Sequence, residues 1–216
     1  MPKITEVIGL CNTLLVDPLW LRWPQPELLD YYNNAVRATI IVLPYAGATV
    51  EVIDCVPGTR QSLPSGAIRL LDVTRVVGGR AVRPVPREVL DSQYPDWHSM
   101  TGTVERYCYD ESIPKTYHVF PGALSGVQLE AEVARIPAPA GMSDLESDIP
   151  LDELYVNPIV EFMLYRAYSK DAESAANSYL AATHYQNWSD LLGVKTQAEQ
   201  TQGKKKQAQY NGGTQS

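Results

Sequence analysis

Three histidines, His98, His118 and His184, are the side chains best suited to proton transfer or metal binding near neutral pH. They lie 20 residues or more apart, so no pair has the short spacing of a metal site. The pattern around them predicts His118 on a strand and His184 on a helix, each as a surface or satisfied packing residue. Carboxylates are the second candidate. Asp144, Glu146, Asp148, Asp152 and Glu153 cluster together, and paired carboxylates can act as general acid and base. They lead into a predicted helix, where negative charge offsets the positive end of the helix dipole. Ser169-Lys170-Asp171 reads as a corner between helices, capped by Ser or Asp. Cys11, Cys55 and Cys108 are far apart with no C-x-x-C pair, and their mostly apolar neighbours predict small buried core residues rather than reactive thiols. The chain contains no G-x-x-x-x-G-K-S/T, H-E-x-x-H or G-x-S-x-G motif. No catalytic constellation, metal site or cofactor emerges, and the expectation is a protein that is not an enzyme.

Charge is unevenly distributed. The 216-residue chain carries −7. Lys195, Lys204, Lys205 and Lys206 against Glu199 give the last segment +3, which leaves −10 on the body. A general nucleic-acid binder is usually basic, so the body argues against that class. The lysine run could bind phosphate. It is either a solvated tail or a peptide that orders on docking to an acidic partner. Hydrophobic residues at 44% and charged residues at 20% describe a soluble globular chain with a sizeable core. No apolar run reaches the roughly 18 residues of a membrane span. Residues 1–16 read as an amphipathic helix rather than a signal peptide, which predicts folding in the cytoplasm.

Four sections must position these side chains. The first, about 3–46, is helical. Ile4, Val7, Ile8, Cys11, Leu14 and Leu15 form one helical stripe, stopped by Asp17-Pro18. A second helix starts near Pro24–Glu27, with Pro26 suited to a first turn, and ends at Pro44 and Gly47. The second section, about 48–138, changes to period two. Strands are predicted at Thr49–Ile53, Arg60–Leu63, Ala67–Val77 and Val127–Val133. A hairpin is predicted from Tyr107–Tyr109 and Thr116–Phe120, and a short helix at Arg87–Gln93. The third section, about 148–193, returns to helix. One helix spans about Leu151–Tyr168, with Pro158 near its start or kinking it. A second runs to Gly193 as its cap. The fourth, 194–216, has almost nothing that can pack and is predicted to be a flexible arm. Neither two-helix section can bury its stripes alone. The predicted fold is therefore α+β: a discontinuous helical bundle from both chain ends (1–46 and 148–193) with an inserted antiparallel β domain (47–140).

An ordered series of short motifs runs through these sections. It comprises Arg22-Trp23-Pro24, Glu27-Leu28-Leu29, Asn34-Ala35, Gly58-Thr59-Arg60-Gln61, Leu63-Pro64, Arg69-Leu70-Leu71-Asp72-Val73, Leu90-Asp91, Pro95-Asp96-Trp97 and the segment Tyr107–Pro121. It continues through Leu164-Tyr165-Arg166-Ala167-Tyr168-Ser169-Lys170-Asp171-Ala172-Glu173 to His184-Tyr185 and Leu192-Gly193. Over about residues 4–195 the series resembles the head-to-tail adaptor family (tail tubular protein A-like) of short-tailed bacteriophages. The resemblance implies a virion protein, present in the host cytoplasm during assembly, that forms a ring of twelve copies beneath the capsid portal. Its helical part would surround a channel that DNA passes without specific binding. Its β part would face tail fibres or spikes and the nozzle. Its C-terminal arm, with Lys195, Lys204, Lys205, Lys206 and Tyr210, would reach the portal. Trp23, Arg60, Trp97, Arg166, Lys170 and Asp171 would serve subunit contacts or the family framework. No membrane and no cofactor is implied.

Three other readings remain open at this point. A neck or head-completion protein of a long-tailed phage would differ only in its partners. A nucleic-acid-binding module would use the lysine run as its anchor. A cytoplasmic enzyme would need a polar pocket with converging titratable groups.

Overall fold

Elements in the computed structural model follow the predicted change of period and back. The structure describes residues 1–170 and 174–211, with side chains to residue 193. In chain order they are α1 (Ile4–Leu15), α2 (Gln25–Val42), β1 (Ala48–Asp54), β2 (Gly58–Ser62), β3 (Ala67–Val76), β4 (Arg83–Pro84) and α3 (Arg87–Gln93). Then come β5 (Arg106–Tyr109), β6 (Thr116–Ala123), β7 (Gln128–Arg135), α4 (Val156–Lys170) and α5 (Ala175–Asn211). Two compact units result. One joins Met1–Leu43 to the chain from Ala138 onward; the other is Pro44–Pro137. The fold is α+β, a helical bundle from both chain ends with an inserted β unit.

In the bundle, apolar residues at three- and four-residue steps give each helix one buried face. α1 buries Ile4, Val7, Ile8, Cys11 and Leu15, and α2 buries Leu28, Leu29, Tyr32, Ala35, Val36 and Ile40. α4 packs against α1, α2 and α5 through Ile159, Val160, Met163, Leu164 and Ala167. Each such large side chain contributes about 1.5–3 kcal/mol by leaving water. The first N–H groups of a helix have no partner within it. Those of Ile4 and Thr5 donate to the carbonyls of Ser147 and Leu145 at 3.0 and 2.9 Å. Ile149 N–H returns the contact to Pro2 O at 3.0 Å. The loop before α4 thus completes α1.

Pro158 falls in the first turn of α4, where its missing N–H costs nothing, and a 3-10 turn over Glu153–Tyr155 precedes it. Ser169 lies within α4, its hydroxyl donating back to Tyr165 O at 2.7 Å, so it caps no following helix. Gly193 does not end a helix either, contrary to expectation. α5 continues to Asn211. Glycine inside a helix costs only about 1 kcal/mol against alanine, and the Gln, Lys and Ala that follow favour helix. The helical backbone therefore extends as far as Asn211 into the segment expected to be a flexible arm.

The β unit contains two sheets, β1-β7-β3 and β2-β6-β5-β4. All pairings are antiparallel except the short β4–β5 pair. Alternation assigns the faces. Leu129, Ala131 and Val133 of β7 point into a core shared with Ile53, Leu70, Val73, Tyr107, Tyr117 and Val119. The opposite face of β5 and β6 offers Cys108 and Phe120 to a smaller cluster with Leu90 of α3 and Trp97. β4 was not predicted; two residues ending in proline give no periodic signal.

Gly122 of β6 sits where backbones crowd. A Cβ there would stand 3.0 Å from Gly58 C and from Met100 O, and 3.2 Å from Thr59 N. Gly122→Ala is expected to destabilise by about 1–3 kcal/mol. Gly9→Ala, inside α1 with nothing within 4 Å of the new Cβ, should stabilise by about 0.5–1 kcal/mol. Urea unfolding of the two variants checks the opposite signs.

Candidate functional site

The motif residues of the bundle converge where α2 begins and α4 ends. Val16 closes α1 in the left-handed region (φ 56°). The Asp17 carboxylate then accepts N–H groups of Leu21 (3.1 Å), Arg22 (2.9 Å) and Trp23 (2.9 Å). These donors, Trp23 N–H foremost, hold the carboxyl below its ordinary range. This hydrogen-bonded loop delivers the Trp23 indole into the bundle. There Nε1 donates to Ala167 O at 3.3 Å and the ring meets Tyr168 edge-on at 6.3 Å. The Arg22 guanidinium lies 4.7 Å above the indole. Glu27, in the first turn of α2, accepts from Lys170 Nζ at 2.7 Å and from the Tyr31 hydroxyl. Lys170 Nζ also reaches Arg22 O at 3.4 Å, and Arg166 lies 6.0 Å from the Tyr31 ring centre. Trp23, Arg166 and Lys170 are thus brought together; Asp171 lies outside the described residues. The cluster is a buried aromatic flanked by the Glu27–Lys170 ion pair and by two arginines over aromatic rings.

In the β unit the structure brings Arg60 and Trp97 to one side of β6. Trp97 is buried. Its Nε1 donates to Asp91 at 2.8 Å, its ring stacks on His98 at 3.7 Å, and it meets His118 edge-on at 5.8 Å. His98 and His118 lie 5.7 Å apart, and Arg60 pairs with His118 across β2–β6. Thr59 Oγ1 is 2.9 Å from His98 Nδ1. Burial first, then the charges of His98, Arg87 and Arg60, push His118 below the ordinary histidine value of 6.5.

Elsewhere the candidates for chemistry are satisfied structurally. His184 Nδ1 lies 2.8 Å from Glu161 and its ring stacks on Tyr168 at 5.5 Å. Asp144 and Asp152 accept the N–H groups of Gly141 and Leu154. The cysteines are buried and free; burial raises Cys11 to about 12 and Cys55 to about 11, away from thiolate chemistry. Among the described residues no three His, Cys, Asp or Glu side chains could hold a metal, and no helix is long and apolar enough to cross a membrane. Lys195, Lys204, Lys205, Lys206 and Tyr210 sit on α5, but their side chains lie outside the described residues.

One feature was missed in the sequence. Arg80, Ala81, Arg83, Glu105 and Arg106 line a cleft of about 390 Å³ in the β unit. The only sequence signal is the R-x-x-R run after Gly78-Gly79; its neighbour Arg106 comes from a distant strand.

A family model described as SU10 adaptor protein matches residues 2–210. No curated protein matches the chain.

Trp23→Ala removes a large buried ring and is expected to cost about 3–5 kcal/mol. Lys170→Ala breaks an exposed pair and should cost about 1 kcal/mol or less. Chemical denaturation separates the two. For His118, the folded value is depressed, so its contribution is present above 6.5 and is lost as pH falls through the folded value. The thermal midpoint should therefore drop on acidification below 6.5, and His118→Gln should flatten that drop. Calorimetry across this range reads it; an unchanged slope in the variant removes His118 as the cause.

Proposed function

The chain belongs to the SU10 adaptor protein family, and from that membership we propose that it is a structural protein of the phage virion, joining the head portal to the tail nozzle. The observation that carries this reading is the family match over nearly the whole chain. In this reading twelve copies close into a ring. The bundle surrounds the DNA channel, the β unit offers attachment for tail fibres or spikes, and the end of α5 with Lys195, Lys204, Lys205, Lys206 and Tyr210 docks the portal.

Physical chemistry supports a conduit. A cationic wall would bind phosphates by releasing counterions and would hold DNA in passage. A body at −10 repels it instead. Support for many protein contacts comes from aromatic usage. The chain has 13 Tyr and 4 Trp against 2 Phe, and Tyr45, Tyr94, Tyr179 and Tyr185 are exposed. Such rings are favoured interface anchors. The three histidines and the three cysteines are engaged in packing contacts, which suits a structural role.

Removing residues 196–216 is expected to leave a folded protein that no longer joins the portal in a co-sedimentation assay. Normal portal binding by the truncated chain would refute the arm. Electron microscopy of the full chain mixed with portal should show a ring. Salt-dependent affinity of the isolated chain for DNA would favour a nucleic-acid-binding module.

A further inference from the structure

β1 is the outer strand of its sheet and pairs with β7 alone. Its register is regular over 7 residues, from Ala48 opposite Ala134 to Asp54 opposite Gln128. Residues of an antiparallel strand turn their backbone groups alternately toward and away from the partner. Cys55 N–H donates inward to Val127 O at 2.9 Å, so Ile53, Glu51 and Thr49 also point inward. The N–H and C=O groups of Ala48, Val50, Val52 and Asp54 therefore face out, and no other described strand pairs with them. The same four residues have exposed side chains, Val50 at 65% and Val52 at 56%.

Open strand edges attract other strands, and folded proteins blunt them with charge, proline, bulges or a covering segment. The other three edges of the β unit are blunted in these ways. β3 shifts register at three places, and the Arg80–Val82 segment and the Tyr109 hydroxyl bond along its outer side. β2 shifts register once and exposes Arg60. β4 is 2 residues long and ends in Pro84. β1 has no proline, no lysine or arginine and no register shift, and its central charge, Glu51, is held by Arg135 Nη2 at 2.7 Å.

A strand edge pairs with another open edge. Among the described strands of this chain that edge is β1 itself, so an edge contact between copies joins β1 to β1 about a two-fold axis. We infer that the free chain is a dimer in which the β1 strands of two copies pair antiparallel, giving one continuous sheet β3-β7-β1-β1-β7-β3. Val50 lies on the axis and meets Val50 of the second copy. Ala48 then stands opposite Val52, and Thr49 opposite Glu51. A centre on Glu51 would instead set two carboxylates face to face. The Thr49 hydroxyl suits its new neighbour, since within one strand it already donates to Glu51 at 3.1 Å. The antiparallel direction also carries Tyr45, 56% exposed just before β1, to the end of the second strand, where Val56 is 57% exposed. Tyr45, Val50, Val52 and Val56 of each copy leave water together. A two-fold contact closes on itself and cannot repeat around a ring. The dimer is therefore a state of the chain before assembly, with its adhesive edge covered, and it does not depend on the ring reading.

Sedimentation velocity of the full chain reads this state across a micromolar concentration series. Salt at about 0.15 M screens repulsion between the acidic chains beyond about 8 Å. Wild type should sediment as a dimer. A variant carrying both Val50→Lys and Val52→Lys sets like charges across the axis, and its dissociation constant should rise about a hundredfold or more. Both side chains are exposed, and circular dichroism verifies that the variant folds. Cross-linking gives a second measurement. The native cysteines are buried, so mild oxidation of a Val50→Cys chain should join two copies through that residue. Its Cα atoms lie about 5.5 Å apart across the axis, within disulfide reach. Asp30→Cys, at an exposed position of α2, should stay unlinked. A wild type that is monomeric throughout the series overturns the inference and leaves the ring reading standing; it is the result expected if the edge takes a strand from a different protein. A dimer that the lysines leave intact, or one that Val50→Cys does not cross-link, overturns it as well.

Discussion

Helices at the two ends of this chain have apolar faces that only the other end can cover. α1 and α2 cannot bury Ile8, Leu28 and Ile40 between themselves, and α4 supplies the missing surface through Ile159 and Met163. The same dependence is written in polar bonds. The orphan N–H groups of α1 find their acceptors at Leu145 and Ser147. Asn33 of α2 makes a two-way amide contact with Ala140, giving Nδ2–H to its carbonyl at 2.9 Å and accepting its N–H at 2.8 Å. A half-buried amide bonded on both sides favours one register as well as adding energy.

From that constraint follows the character of the motif clusters. Trp23, Glu27, Arg166 and Lys170 gather where the first and last thirds of the chain meet, so the motif reads best as a fastening of the discontinuous bundle. The corresponding fastening in the β unit is Trp97, held by Asp91 and stacked with His98. Both put a large ring in a dry setting and give its N–H a partner, the condition under which tryptophan is worth burying. In both places the contacts join elements that are distant in the sequence.

Much of this was legible in the sequence because period is a physical signal. α3 falls on Arg87–Gln93 as predicted, and the switch from helical steps to alternation marks the β unit. What escaped was the information held in pairings. Arg83 and Arg106 are 23 residues apart and meet only through the parallel β4–β5 pair. Asp17 reads in sequence as a helix stop beside Pro18, whereas its carboxylate organises the three N–H groups that carry Trp23 into place. Arg166 and Lys170 were recognisable as motif members, but nothing in one sequence places them over Tyr31 and Glu27. Gly193 misled because glycine favours a helix cap without requiring one.

The bundle's dependence on both ends also sets an order of events during synthesis. When α1 and α2 leave the ribosome their greasy sides have no cover, and they must wait while the whole β unit is made. Pro44–Pro137 has its own core and can consolidate in the meantime. The apolar faces of α1 and α2 therefore stay open to water through that interval, and the arrival of α4 ends the exposure.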